Sequence, residues 1–234
     1  MKKRFSSVLA AGLFILTIAG SANATLTTIG TATYDGSDYK LIWDDDNNGN
    51  SVIWLDYTNG GRGTTWSQQK SWAAGLDAQL TYNIDAAYNV SWDDPAWRLP
   101  STVDGSTGGY NITTSEMGHL YYTELGNLGY YDTSGNYQAG WGLNNTGDFD
   151  NLIAWWYWSG TESAGNPLYA WIFSMIDGNQ PFDYKNTRYY GLAVRSGQVS
   201  NESAPVPEPS TVLFLSMGLL GLAGFGRKRF SKKG

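Results

Sequence analysis

The chain contains no cysteine, and its aromatic residues are crowded into one stretch. All 11 Trp fall between Trp43 and Trp171, and all 16 Tyr between Tyr34 and Tyr190. Such a fold has no disulfide to lean on and must be held by apolar burial. Aromatic side chains suit that task, because each buries a large area and Trp and Tyr also carry a polar group. The aromatics are interrupted by 29 Gly and by frequent Asn, Thr and Ser. That mixture predicts short strands joined by turns rather than a helix bundle.

The two ends differ from the middle. Residues 1–24 read as a secretory signal peptide. Lys2, Lys3 and Arg4 form a positive start, Val8 to Ala19 an apolar core, and Ala22 and Ala24 the small residues of a cleavage site after Ala24. The alternative is a retained N-terminal anchor. At the other end, residues 205–234, Val206-Pro207-Glu208-Pro209 is followed by an apolar run and then a basic terminus. The two prolines keep the motif extended, since each lacks an N–H and restricts the residue before it. Ser210 to Gly226 is free of charge and spans about 25 Å as a helix, the short end of what crosses a membrane. Arg227, Lys228 and Arg229, with Lys232 and Lys233, form a basic stop at 227–233 that belongs on the cytoplasmic side. The alternative is an amphipathic helix packed on the domain, although the run is apolar on all sides.

Residues 25–204 remain, enough for one domain with a sizeable core. This stretch holds seven Lys and Arg against 20 Asp and Glu, a net charge of −13. Phosphate binding needs a basic face, so nucleic acid is excluded as a partner. Cations and neutral glycans are compatible with it, as is simple solubility.

Local patterns predict an α+β domain of mostly short antiparallel strands, two helices and long loops. Strands are expected at Thr25–Thr33 (as an edge), Tyr39–Trp43, Ser51–Tyr57, Ala154–Ser159, Tyr169–Met175 and Tyr189–Arg195. Asp35-Gly36 supplies the first turn. Thr65 and Gln68 form a capping box that opens a helix to about Leu80, and Thr113 and Glu116 form a second, followed by Met117, Leu120, Tyr121, Leu125 and Leu128.

Few chemistries are open. Without cysteine there is no thiol, and a Ser-His-Asp triad would need His119, the single histidine. No Gly-x-Ser-x-Gly element presents a nucleophile. Carboxylates at Asp44–Asp46, Asp93/Asp94, Asp148/Asp150, Glu116/Glu124 and Glu162 leave a glycan-active hydrolase open as the weakest reading. The chain is expected not to be an enzyme. The metal candidate is Asp44, Asp46 and Asn48 with Gly49, which match the first half of a Ca2+-binding loop. Its twelfth position is Leu55, so the closing ligand is missing, and a polar hairpin turn is the competing reading. Among the aromatics, alternation puts Trp156 and Trp158 on one face, either core or a sugar-contact surface.

Two resemblances add to this. The order Val206-Pro207-Glu208-Pro209, apolar run, Arg227-Lys228-Arg229 resembles the PEP-CTERM sorting signal of Gram-negative bacteria. It implies processing by an exosortase, a membrane protease-transpeptidase, and a place at the cell surface beside exopolysaccharide. The body carries Trp97-Arg98-Leu99-Pro100, Tyr157-Trp158-Ser159-Gly160-Thr161, and Ala193-Val194-Arg195-Ser196-Gly197 in that order. It resembles a C-type-lectin-like domain known from the C-terminal region of a collagen-like adhesin. That resemblance implies pairing of strands near both termini, with two helices between. The related formylglycine-generating enzymes need cysteine, and the sugar-binding C-type lectins need a Pro-Asn or Pro-Asp pair where this chain has Pro181-Phe182-Asp183. Neither activity carries over. Trp97 and Leu99 are expected in the core, and Arg98 is expected to pair with a carboxylate or with carbonyls.

The sequence therefore points to a non-enzymatic, secreted surface protein, processed by an exosortase from a membrane-anchored precursor and associated with exopolysaccharide or biofilm matrix. A specific glycan-binding adhesin is the alternative.

Overall fold

The computed structural model describes residues 26–103 and 108–201. The expected signal peptide with its expected cleavage residues Ala22 and Ala24, the Pro-Glu-Pro motif, the 210–226 segment and the expected basic stop lie outside the described residues. Among the described residues, no helix is long and apolar enough to cross a membrane.

The domain is mainly β. Its strands are β1 (Leu26–Tyr34), β2 (Ser37–Asn47), β3 (Asn50–Thr64), β4 (Thr81–Ile84), β5 (Tyr88–Trp92), β6 (Trp156–Glu162), β7 (Tyr169–Ser174), β8 (Phe182–Tyr184) and β9 (Tyr189–Asn201). They lie in the order β4-β1-β2-β3-β9-β6-β7-β8, with β5 also paired to β9. The predicted strands are present, but β1 is not an edge, because the short β4 adds outside it. Nor does β1 pair with the last strand; β3 does, antiparallel, from Val52↔Ser196 to Thr64↔Tyr189.

β9 is the hub. One edge meets β3, while the other meets β6 in parallel at Tyr157↔Tyr190, the Arg98 segment at Val194, and β5 from Gly197 onward. Both faces of the central strands are covered, which explains their unbroken apolar runs. The period of two sorts them cleanly. Ile42, Val52, Trp54, Leu192 and Val194 face one core, together with Met117, Leu120 and Tyr121. Their neighbours Leu41, Ile53, Leu55 and Ala193 face the other, together with Leu76, Leu80 and Trp97.

Two helical elements seal these faces. Helix α1 (Trp66–Gly75) runs on through a 3-10 turn at Leu76–Ala78. Its capping box is present: Thr65 N–H donates to Gln68 Oε1 at 3.0 Å. Helix α2 (Glu116–His119) is capped by Ser115, whose Oγ accepts from Gly118 N–H at 3.0 Å. The predicted cap at Thr113 is displaced by two residues, because the Glu116 carboxylate it required is taken by Arg98 and by Ser101 N–H. Gly118 lets α2 sit directly on the preceding chain, since a Cβ there would collide with the Ile112 carbonyl oxygen. After α2 the chain continues as a π-helical turn, Leu120–Glu124, closed by Leu125 N–H donating to Leu120 O at 2.9 Å.

Candidate functional site

The acidic stretch read as a Ca2+ candidate is the tip of the β2–β3 hairpin. Asn47 pairs with Asn50, and Asn48 (φ 55°) and Gly49 (φ 81°) form the two-residue turn between them. Positive φ at both positions is the primed turn that Asn-Gly favours, since it matches the twist of the flanking strands. Asp46 Oδ1 accepts from Gly49 N–H at 2.8 Å, which locks the turn. Asp46 and Asn48 are exposed at this tip, whereas Asp44 is fully buried. The three candidate ligands are thus divided between solvent and core.

A one-residue bulge between Asp44 and Asn47 explains the division. It turns both side chains to the α2 face, where Asn47 Nδ2 donates to Asp44 Oδ2 at 2.8 Å and to Glu116 O at 3.2 Å. Trp54 Nε1, from the neighbouring strand, also donates to Asp44 Oδ2, at 3.1 Å. What Asp44 meets across the core is His119 and Glu124. One potential ligand atom from each of the three lies within 4.8 Å of the others. His119 Nε2 and Glu124 Oε1 are 3.0 Å apart. Asp44 Oδ1 and Glu124 Oε2 are buried with no hydrogen-bond partner among the described residues. Burial pushes the Asp44 carboxyl up, against the lowering pull of its Asn47 and Trp54 hydrogen bonds. Burial first, and then the charges of Asp44, Asp45 and Asp46, push Glu124 up to about 7. His119, read from sequence only as a structural histidine, and Glu124, read only as one of many acids, are the members that spacing did not reveal.

A second polar constellation lies on the Trp97-Arg98-Leu99-Pro100 segment. Trp97 and Leu99 are buried, as expected. Arg98 grips Glu116 with both terminal nitrogens at 2.7 Å and reaches Asp94 at 3.2 Å. Arg195 donates to Asp77 Oδ1 and to the carbonyls of Asp94 and Pro95. Ser159 Oγ donates to Pro100 O at 2.9 Å. The motif residues therefore tie β9, β6, α2 and the 93–101 segment to one another.

The aromatic cluster is divided as well. Trp158 is fully buried, its Nε1 donating to Thr64 O, and so has no surface to offer a sugar. Trp156 is half-buried beside Tyr189. The exposed member is Trp155, at 49 %. A different aromatic surface is open: Tyr131 and Tyr137 are exposed beside Tyr130, Tyr110 and Trp141. Tyr110, Asn111, Tyr131 and Asp132 line a groove there of about 560 Å³.

Beyond the domain, residues 205–229 match the PEP-CTERM protein-sorting motif. The chain thus ends in the signal that marks proteins for exosortase sorting to the cell exterior. No curated protein and no solved structure matches the chain.

Proposed function

We propose that the chain is a non-enzymatic protein of the cell surface or extracellular matrix. It is exported by its signal peptide, held in the membrane by residues 210–226, and released from that anchor by an exosortase. Its domain then acts beside exopolysaccharide in a biofilm-type matrix. The observation that carries this reading is the PEP-CTERM motif at 205–229, set behind a single acidic domain. Support for a non-catalytic role comes from the Arg98 and Arg195 networks, whose groups are engaged in holding elements together. Within this reading the domain is of the C-type-lectin-like class, on the strength of its Trp-Arg-Leu-Pro and Ala-Val-Arg-Ser-Gly motifs. Glu208→Ala should leave the full-length chain accumulating in the membrane fraction of the producing cell. Maturation of that variant at the normal rate and size would reduce the tail to an anchor.

The open tyrosine groove favours a second reading, a glycan-binding adhesin. Flat aromatic faces beside Asn and Asp suit sugar rings, which stack on π surfaces and hydrogen-bond at their edges. The contact residues are then Tyr131, which lines the groove, and the exposed Tyr137 beside Tyr130, rather than Trp156 and Trp158. Glycan-array binding that disappears in Tyr131→Ala and Tyr137→Ala, with the fold intact, is the expected result under this reading. Binding unchanged in both variants, or no binding at all, rules it out.

A further inference from the structure

The Asp44, His119 and Glu124 cluster presents a problem that the fold alone does not solve. Two carboxylate oxygens, Asp44 Oδ1 and Glu124 Oε2, are buried and unpartnered within one small group of side chains. A buried polar atom without a partner costs roughly 1–3 kcal/mol, more where the group is charged. Native domains leave few such atoms, and here two belong to carboxylates grouped with one imidazole. We propose that these three side chains form a binding site for one divalent transition-metal ion of the Zn2+ class.

Three independent features support the assignment. The first is the backbone. His119 and Glu124 are five residues apart, a spacing that an α-helix places on different faces. The π-helical turn at Leu120–Glu124 widens the helix and brings them to 3.0 Å. Such turns are rare and recur at functional sites. The second is the shell behind the ligands. Asn47 Nδ2 and Trp54 Nε1 both hold Asp44 by Oδ2, which fixes the carboxylate and leaves Oδ1 for a ligand. Metal-binding side chains are oriented by outer hydrogen bonds of this kind. The third is the donor set. One imidazole and two carboxylates suit Zn2+ or a similar ion, whereas Ca2+ takes six to eight oxygens and gains little from an imidazole. Metal–ligand bonds of about 2.0–2.2 Å keep any two ligands within about 4.4 Å of each other. Ligand atoms already inside 4.8 Å therefore need only side-chain adjustment to close on an ion.

The ion joins the tip of the β2–β3 hairpin to α2. In a chain with no cysteine it supplies the cross-link that a disulfide would otherwise provide.

The chain's single histidine makes the test direct. The untagged full chain is purified in detergent, stripped with a chelator, and titrated with Zn2+ while its one set of imidazole NMR signals is followed. The expected result is a shift that saturates at one Zn2+ per chain, together with a Tm that rises with Zn2+ concentration. Ca2+ in parallel leaves the signals unmoved. Calorimetry on His119→Gln and Glu124→Gln should show Zn2+ affinity lowered by about 100-fold or more, the upper end of what loss of even an outer-shell partner causes. Imidazole signals that do not respond to Zn2+ would overturn the proposal and leave a proton shared between Asp44 and Glu124 as the solution to their burial. Equal affinity for Ca2+, or unchanged Zn2+ affinity in both folded variants, would overturn it too. The wild-type titration decides the matter even if a variant does not fold.

Discussion

Replacing Arg98 by alanine should lower the stability of the domain by about 3 kcal/mol, the low end of what removing one partner of a buried ion pair costs. The low end applies because the Arg98 side chain is 35 % exposed, while that of Glu116 is only 10 % exposed. The loss comes chiefly from Glu116. Two guanidinium contacts at 2.7 Å disappear, and Ser101 N–H is left as its remaining partner. Asp94, held below the usual carboxylate range against its burial by hydrogen bonds from Ser196 and then by Arg98, loses a cation as well. For a domain of this size the change corresponds to a drop in Tm of roughly 6–12 °C. An Arg98→Met, Glu116→Leu double variant should recover most of it, since no buried charge is then stranded. Thermal unfolding of the three proteins checks this. Wild-type stability in Arg98→Ala would mean that the contacts seen here contribute nothing net.

Trp158→Ala is expected to cost about 3–5 kcal/mol, the range for truncating a fully buried large aromatic. The ring fills a core with Ala73, Leu99, Ala170 and Ile172, and its edge lies against Tyr189 at 5.1 Å. Its removal also strips Thr64 O of the indole N–H at 3.1 Å. A urea midpoint measured with and without the substitution gives the number. A loss under about 1 kcal/mol would place Trp158 among exposed residues, where substitutions have small effects. It would then return to the list of sugar-contact candidates.

These two residues show why some of the structure was legible in the sequence. Leu41-Ile42-Trp43 and Val52-Ile53-Trp54-Leu55 are apolar runs bounded by Asp35-Gly36 and Asn48-Gly49, so strand, turn and strand could all be read directly. Arg98 stands between two residues that must be buried, and a guanidinium so placed needs an acidic or carbonyl partner. Which acid it takes depends on the fold, and the answer moved the helix cap from Thr113 to Ser115. The short strands were not legible. Thr81–Ile84 and Phe182–Tyr184 carry too few apolar positions to show a period, and pairing with longer strands makes them β.

The Asp44 cluster was illegible for a different reason. Asp44, Asp46 and Asn48 have the alternate spacing of oxygen ligands, but a bulge and a tight turn send them to different environments. The true neighbours of Asp44 are distant in sequence, and two of them come together only through a π-helical turn. No periodicity rule finds a pair spaced by five. The sorting signal is the opposite case. Its three parts are contiguous and their order is the information, so residues 205–229 could be read without any fold.

The sorting reading meets its sharpest test in mass spectrometry of the carboxyl terminus of the mature protein recovered from the cell surface. The expected terminus lies at or near Pro207-Glu208-Pro209, with residues 211–234 gone and any transferred group visible as added mass. A mature chain that still ends at Gly234 would contradict exosortase processing and leave the protein anchored by its own tail.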